Sequence, residues 1–381
     1  MHFGIPAYRL PREELGAEIA RIEAMSVRIV RNHPVRDVVA EKEEGRFDAV
    51  LIAIGTQLDR RIDIPAQDAS TIVSALKILR DPTGDPPALL GRRVIVYGGG
   101  NTAMDVARTV RRLGAQDPLI VYRRDREHMP AHDFELEEAL AEGVKVKWLS
   151  TIRTVGLGEI VVEQMALDEQ GVPYPTGRTE RLPADAVVLA LGQEADSAFL
   201  SGVPGIVLRN DGAIEVDRHL MTGATGIFAG GDVIPGQRTV TVAVGHGKKA
   251  ARCIDEWLFE REPRTVKKNE VVTWEMLNLP VFSDALPQKE REEPIEARVT
   301  SFGEVVTGLA EDAARYEAQR CLSCGNCFEC DQCYAACPED AIIKLGPGRR
   351  YRFDYALCTG CAECFEQCPC HAIAMIPEAA R

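Results

Sequence analysis

Short runs of hydrophobic residues alternate with helical patterns along much of the chain. A run within residues 47–56 closes on a glycine, which predicts a buried strand followed by a turn. A strand–turn–helix pattern over 93–113 precedes a strand over 119–122, a helix over 134–142 and an apolar strand over 186–191. Buried strands that alternate with helices predict an α/β fold with a parallel sheet.

The later part of the chain departs from this alternation. A second strand–turn–helix pattern covers residues 225–258, and the charge-rich residues 261–308 are interpreted as a linker or arm. Residues 81–87, rich in proline, predict a loop. A predicted helix over 311–320 leads into a cysteine-rich block.

Composition is that of a globular protein with two to three domains in 381 residues. The net charge of 45 − 58 = −13 disfavours a broad nucleic-acid or anionic-membrane surface. No apolar run approaches the roughly 18 residues of a membrane span, and the first residues lack a signal-peptide pattern. We therefore expect a cytoplasmic location.

Cysteine is the most informative residue type, because eleven of the twelve fall between Cys321 and Cys370. The pattern C-x2-C-x2-C-x3-C-P occurs twice. In such a repeat three thiolates bind one cubane and the fourth binds the other cluster. We therefore predict two [4Fe-4S] sites, the first from Cys327, Cys330, Cys333 and Cys368 and the second from Cys358, Cys361, Cys364 and Cys337.

Two alternatives stay open for this block. A pair of zinc sites would also use thiolates, although the exchanged fourth cysteine and the duplication favour iron–sulfur clusters. Cys321, Cys324 and Cys370 are interpreted either as another metal site or as spare, fold-stabilising thiols. Cys253 is interpreted as a small buried hydrophobic residue.

A dinucleotide-binding turn is predicted where a strand over 94–97 runs into Gly98-Gly99-Gly100-Asn101-Thr102-Ala103. Gly98 permits the turn, Gly100 lets a pyrophosphate approach the backbone, and Ala103 lets the helix pack closely. The next strand ends in Arg123 and Arg124 rather than an acidic residue, which favours the 2′-phosphate of NADP(H) over NAD(H). The alternative is a solvated basic turn.

The chain resembles the glutamate synthase small-subunit family of flavoproteins, and more closely the members with a C-terminal ferredoxin domain. The resemblance spans nearly the whole chain. It rests on residues 4–11, 53–56, 98–105, 122–126, 129–131, 142–144, 190–192, 229–232 and 320–325.

This resemblance implies an α/β fold with a partial FAD-binding domain, a Rossmann-like NAD(P) domain and a small α+β domain like bacterial ferredoxin. It implies FAD contacts from Gly231, Asp232, Thr239 and Val240, and NADPH contacts from Asn101, Thr102, Arg123 and Arg124, with Gly192 leaving room for the nicotinamide. The implied boundaries are 1–58 and 193–262 for the FAD-binding domain, 59–192 for the NAD(P)-binding domain, 263–319 for the linker and 320–381 for the ferredoxin-like domain.

One departure from the family concerns FAD. Family members carry a first G-x-G-x-x-G upstream of the segment that corresponds to residues 4–6, and this chain begins at that segment. We therefore expect an incomplete FAD site here, and count a chain that supplies the missing unit among the expected partners.

The predicted function is an oxidoreductase that passes electrons between NAD(P)H, with NADPH favoured, and the clusters by way of FAD. Electrons flow on to a ferredoxin or partner oxidoreductase subunit, or in the reverse direction. One alternative is the electron-feeding subunit of a glutamate synthase. The other is a ferredoxin-type docking subunit without flavin. Electron transfer needs no acid–base group, and no catalytic residue is assigned.

Overall fold

The computed structural model describes residues 1–60, 62–67, 72–80, 93–262, 271–282 and 284–377. The predicted loop over 81–87 lies outside them. The chain divides into two compact units: unit 1 contains residues 1–263 and 292–306, and unit 2 contains residues 264–291 and 307–381. No helix among the described residues has the length and apolar character needed to cross a membrane.

Unit 1 is built from helices and short strands in mixed order. Its helices are α1 (Arg12–Ala24), α2 (Val38–Glu44), α3 (Ala75–Arg80), α4 (Asn101–Arg112), α5 (Asp133–Ala141), α6 (Val240–Leu258) and α7 (Ile295–Arg298). Its strands are β1 (Val50–Ile52), β2 (Leu58–Asp59), β3 (Ile72–Ser74), β4 (Val94–Tyr97), β5 (Leu119–Val121), β6 (Lys145–Lys147), β7 (Ser150–Val155), β8 (Glu159–Leu167), β9 (Pro173–Pro183), β10 (Ala186–Leu189), β11 (Gln193–Glu194) and β12 (Ile227–Ala229).

A five-stranded parallel sheet in the order β3-β10-β4-β5-β6 forms the centre of unit 1. All four residues of β4 are buried, as expected for a strand covered on both faces. The predicted parallel α/β architecture is confirmed. The helix expected over 134–142 is α5, displaced by one residue.

Unit 1 also contains three smaller sheets. Strands β7, β8 and β9 form an antiparallel sheet, and β2 pairs with β11. Strand β1 pairs in parallel with β12, so the run predicted over residues 47–56 lies beside the strand that precedes the second glycine turn. A separate hydrophobic core, which includes Ile52, Leu200 and Ile227, supports this pair.

The N-terminal segment packs on the outer side of α4. Tyr8 is buried, and its hydroxyl donates to the carbonyl of Asp105 at 3.1 Å. The guanidinium of Arg112 lies 3.8 Å from the centre of the Tyr8 ring. The amide of Val305, from the segment interpreted as a linker, donates to the Tyr8 carbonyl at 3.0 Å. These contacts hold α4, and with it the turn that precedes α4.

Buried ion pairs fix the position of α4 against α5. Arg108 and Arg112 both bind Glu142, at 2.7 and 2.6 Å, and all three side chains are almost wholly buried. Arg9 joins Asp105 at 2.7 Å and Glu135 at 2.5 Å. Breaking such a pair leaves an uncompensated buried charge, so this network makes the placement of α4 specific.

Asp105 makes the stability of the protein pH-dependent. Burial raises the pKa of Asp105 to about 6, although Arg9 acts in the opposite direction. The folded state therefore holds a proton that the unfolded chain releases near pH 4. This contribution is complete below about pH 4 and is lost as the pH rises through 6, a change of about 3 kcal/mol. We expect Asp105→Asn to flatten the pH dependence of the urea midpoint between pH 4.5 and 7. An unchanged slope would contradict the assignment.

Unit 2 is small and rich in turns. Its elements are α8 (Glu311–Gln319), α9 (Gln332–Ala336), α10 (Glu363–Glu366) and the antiparallel hairpin of β13 (Ile342–Lys344) and β14 (Tyr351–Phe353). Residues 271–291 belong to this unit: the amide of Asn278 donates to the carbonyl of Pro369 at 3.2 Å, and Arg320 Nε donates to the carbonyl of Ala285 at 2.8 Å.

Candidate cofactor-binding sites

The first glycine turn lies at the switch point of the central sheet. From β4 the chain moves to β5 and β6 on one side, whereas β10 and β3 lie on the other. Ligands of open α/β sheets bind at the carboxyl ends of strands at such a point. Gly98 has φ of +151°, and a Cβ on it would meet the carbonyl oxygen of Ala190 at 2.1 Å. The turns after β4 and β10 are therefore in direct contact.

Gly99 and Gly100 differ in what surrounds them. A Cβ on Gly99 would enter the ring of Tyr122 at 2.3 Å, whereas one on Gly100 would meet no atom within 4 Å. Gly100 is the N-cap of α4 and offers no side-chain cap. Ala103 is fully buried. The open space and the free helix N-terminus meet the requirements of a bound pyrophosphate.

The surroundings of Gly98 and Gly100 predict different effects for a substitution at each position. Gly100→Ala should fold with a loss of about 1 kcal/mol or less, typical of an N-cap change, and should weaken NADP⁺ binding. Gly98→Ala should destabilise the protein strongly, because the new methyl group would collide with backbone. Thermal unfolding and calorimetric titration of NADP⁺ measure both effects. Tight NADP⁺ binding by a folded Gly100→Ala variant would contradict this site.

The side chain of Asn101 holds a neighbouring loop on the turn. Its Oδ1 accepts from the amide of His132 at 3.1 Å, and the amide of Ala131 donates to the carbonyl of Gly99 at 3.1 Å. Thr102 follows in the first turn of α4 and is half-buried. Gly192, with φ of +112°, has open space at its Cβ position, and its carbonyl accepts from the amide of Arg60.

Two arginines follow β5 beside this turn, where the amide of Gly98 donates to the carbonyl of Val121 at 3.2 Å. Arg123 is exposed. Arg124 is half-buried, and its Nε is a buried donor with no partner among the described residues. Arg126, in contrast, forms an ion pair with Glu137. The turn after β5 therefore has cationic groups that suit a phosphate.

The second glycine turn follows β12. Gly231 has φ of +76°, and its amide donates to Nδ1 of His246 on α6 at 3.2 Å. Asp232 continues this turn in a short 3-10 helix. His246 is a lone histidine, and no spacing pattern in the sequence indicates a role for it. The hydrogen bond from the amide of Gly231 makes His246 a support of this turn.

The first turns of α6 are exposed. Thr239 is the N-cap, and its hydroxyl accepts from the amide of Val242 at 3.2 Å. Val240 is 44% exposed and Val244 is 67% exposed. An apolar ridge at a helix N-terminus suits a flat ring that takes up negative charge.

The structure brings the eight repeat cysteines together in the two predicted groups. Cys327, Cys330, Cys333 and Cys368 line one cavity of about 150 Å³, which we call site one. Cys337, Cys358, Cys361 and Cys364 line another of about 390 Å³, which we call site two. Phe353 and Ile373 line both cavities, so groups held in the two sites would be neighbours.

The sequence repeat is also a repeat of backbone conformation. Glu329 and Gly360 have φ of +60° and +73°, and Asp331 and Ala362 have φ of +68° and +66°. The fourth cysteines are matched as well. Cys337 Sγ accepts from the amide of Ala341 at 3.3 Å, and Cys368 Sγ accepts from the amide of Ala372 at 3.2 Å. Amide donors to sulfur favour the thiolate form that iron requires.

Site one has features that the sequence did not reveal. Burial raises the pKa of Cys333 to about 11, so its thiol form is favoured at neutral pH unless a positive charge is nearby. Cys370 also lines this cavity, with its Sγ 3.9 Å from that of Cys368.

Asp331 connects the first cysteine loop to the hairpin of β13 and β14. Its carboxylate accepts from the hydroxyl of Tyr351 at 2.6 Å and from Nζ of Lys344 at 2.8 Å.

Cys321 and Cys324 are exposed, and Cys253 is buried on α6. Within the described ranges, no three His, Cys, Asp or Glu side chains converge closely enough to hold a single metal ion.

Two known proteins are similar to the chain in sequence, and one solved structure is similar to it in fold. The chain is 38% identical over 345 residues to the NADP⁺-dependent formate dehydrogenase subunit beta of Moorella thermoacetica, covering 84% of this chain and 48% of that protein. It is 33% identical over 284 residues to the glutamate synthase [NADPH] small chain of Escherichia coli, covering 67% and 60%. FprA of Mycobacterium tuberculosis in complex with NADPH has the same fold, with a TM-score of 0.52, 19% identity, and coverage of 68% and 74%.

The fold and its glycine turns define the class as the flavoprotein reductases with two dinucleotide-binding domains, and the C-terminal cysteines fit a ferredoxin-like domain. The chain belongs to the pyridine nucleotide-disulphide oxidoreductase family, whose profile matches residues 11–247. It is thus an oxidoreductase, and its fold is one that binds flavin and NADP. It spans about half the length of the formate dehydrogenase subunit.

Proposed function

We propose that the chain transfers electrons from NADPH, by way of FAD, to two [4Fe-4S] clusters in unit 2 and on to a protein partner. The observation that carries this proposal is the presence of both a nucleotide turn and two four-cysteine cavities in one chain. A flavin accepts a hydride pair and releases single electrons, which is the conversion needed between a nicotinamide and iron–sulfur clusters.

NADPH is assigned to the turn after β4. Gly98, Gly100 and Ala103 shape this turn, Asn101 and Thr102 begin α4, and Gly192 leaves open space after β10. The unpartnered Nε of Arg124 and the exposed Arg123 are the groups that we assign to the 2′-phosphate. The names of the two relatives above, which include NADP⁺ and NADPH, support this choice.

FAD is assigned to the second turn and the start of α6. Gly231 and Asp232 are assigned to the ribityl and phosphate region, and Thr239 and Val240 to the isoalloxazine. The left-handed conformation of Gly231 and the exposed ridge at the N-terminus of α6 support this assignment. These residues bind and orient the cofactor, and we assign proton transfer to none of them.

The clusters are assigned to sites one and two with the exchanged fourth cysteines, Cys368 and Cys337. The grouping of the cysteines in two neighbouring cavities supports this assignment over independent sites in each repeat.

We also propose the domain boundaries given above. The pairing of β1 with β12 supports one FAD-binding domain from residues 1–58 and 193–262, and the five-stranded sheet supports an NAD(P)-binding domain within 59–192. The proposed linker, 263–319, contributes residues 292–306 to unit 1 and residues 264–291 and 307–319 to unit 2. A ferredoxin or a partner oxidoreductase subunit is the proposed acceptor, as the relative's designation as a beta subunit suggests.

Nucleotide preference tests this proposal without requiring bound flavin. Replacing Arg123 and Arg124 with alanine should lower the preference for NADP⁺ over NAD⁺ by about tenfold to a hundredfold, because two charge-assisted contacts are lost. Calorimetric binding of both nucleotides measures this ratio. Arg126→Ala is the matched control, since Arg126 lies in the same turn but is paired with Glu137. An unchanged ratio in the double variant, or an equal loss in the control, would contradict the assignment.

A further inference from the structure

Site two lies at an exposed apolar surface, whereas site one is more enclosed. Cys358 and Cys361 are exposed, but Cys333 and Cys368 are buried. Four large apolar side chains at site two are 48–66% exposed. We call them the site-two patch: Tyr355, Leu357, Met375 and Ile376. Three of them line the cavity itself, and Leu357 directly precedes Cys358. Scattered exposed apolar residues are ordinary, but a group of four around one cavity indicates a contact surface.

Charges divide unequally between the two sites. Residues 353–377 contain three carboxylates, those of Asp354, Glu363 and Glu366, and no lysine or arginine. A further carboxylate, that of Glu339, lines site two. The basic residues of the cysteine block all fall within 344–352, and one of them, Arg350, lines site one. The part of the chain that carries site two is therefore acidic, and one of its carboxylates lines the cavity.

This arrangement selects one kind of occupant. A protein with an apolar area ringed by lysines or arginines around its own redox centre would match both the patch and its charge. A second copy of this chain would place carboxylates against carboxylates, which is unfavourable. We propose that site two is the exit for electrons, and that the site-two patch docks a basic, one-electron acceptor protein. This inference rests on the proposed function, because it requires a cluster at site two.

Cytochrome c, a basic one-electron acceptor protein, is a suitable probe. Its ferric form is titrated into the full, oxidised chain by calorimetry, so that binding is measured without electron transfer. We expect Glu363→Lys with Glu366→Lys to raise the Kd about tenfold at about 10 mM salt, and the difference to vanish at about 200 mM. Leu357→Ser with Ile376→Ser should raise the Kd at both salt concentrations. The control is Asp312→Lys, an exposed acidic residue on α8, which should leave the Kd within about twofold.

Electron delivery provides the second measurement. The chain is reduced with dithionite and mixed with ferric cytochrome c or with an uncharged quinone. One electron from the chain then converts one ferric haem iron to ferrous. The charge-reversal variant should slow reduction of cytochrome c about tenfold at low salt and leave the quinone rate unchanged.

The outcomes separate the inference from the proposed function. Wild-type protein with iron for one cluster or none would overturn the proposed function itself. If the protein holds two clusters, three results would overturn only the docking surface. Wild-type protein does not bind cytochrome c, the Kd does not respond to the Glu363 and Glu366 changes, or Asp312→Lys raises the Kd as much as they do.

Discussion

Paired removal of cysteines should show which thiols share a cluster. Wild-type protein purified without oxygen should contain about eight irons per chain if both cubanes are present. Replacing Cys337 and Cys361 together with alanine should leave about four, because both belong to site two. Replacing Cys337 and Cys330 together should leave almost none, because one change falls in each site. The exchange of fourth ligands alone creates this difference, since Cys330 and Cys337 belong to the same sequence repeat.

The reverse result would contradict the exchange. If the variant lacking Cys330 and Cys337 kept about four irons, each repeat would hold its own cluster. Cys253→Ala, on α6 of unit 1, is the control and should keep the full iron content. Zinc in place of iron would contradict the assignment in every variant.

The largest effect on stability is expected for Glu142→Gln. Burial opposes the charge of Glu142, but hydrogen bonds from Arg112 and Arg108 outweigh it and hold the pKa of this carboxyl below its usual value. The neutral amide would leave two buried guanidinium groups without their common counter-charge. We expect a loss of about 3–5 kcal/mol in the free energy of unfolding, measured by urea denaturation of the full chain.

Glu138→Gln is the matched control, because Glu138 also binds Arg108 but is 20% exposed. Its loss should be about 1 kcal/mol. Equal losses in the two variants would mean that Glu142 does not have the central role that its contacts indicate.

Much of the fold could be predicted because local pattern and tertiary environment agree. Strand β4 is apolar at every position, since the central sheet is covered on both faces. The cysteine spacing predicts two groups, because a tight loop leaves the fourth thiol to the other cluster. In the structure Cys368 lines the cavity of site one and Cys337 lines the cavity of site two.

Other features depend on contacts between distant residues and carry no local signal. Strand β9 contains three prolines and a glycine, which argue against a strand, but it is an exposed edge where proline is tolerated. The interpreted linker contains residues 292–306, which pair with the N-terminal segment through Tyr8. The contact of Cys370 with Cys368 at site one, and that of His246 with Gly231, are seen only in the folded structure.

Anaerobic titration with NADPH tests the central claim most directly. The full chain is supplied with FAD, because its own FAD site is expected to be incomplete, and is followed by visible absorbance for the flavin and by electron paramagnetic resonance for the clusters. The account predicts that NADPH bleaches the flavin band and that a reduced iron–sulfur signal then appears. Protein with a full complement of iron and with FAD present, whose flavin band is not bleached and whose clusters stay oxidised on addition of NADPH, would contradict it.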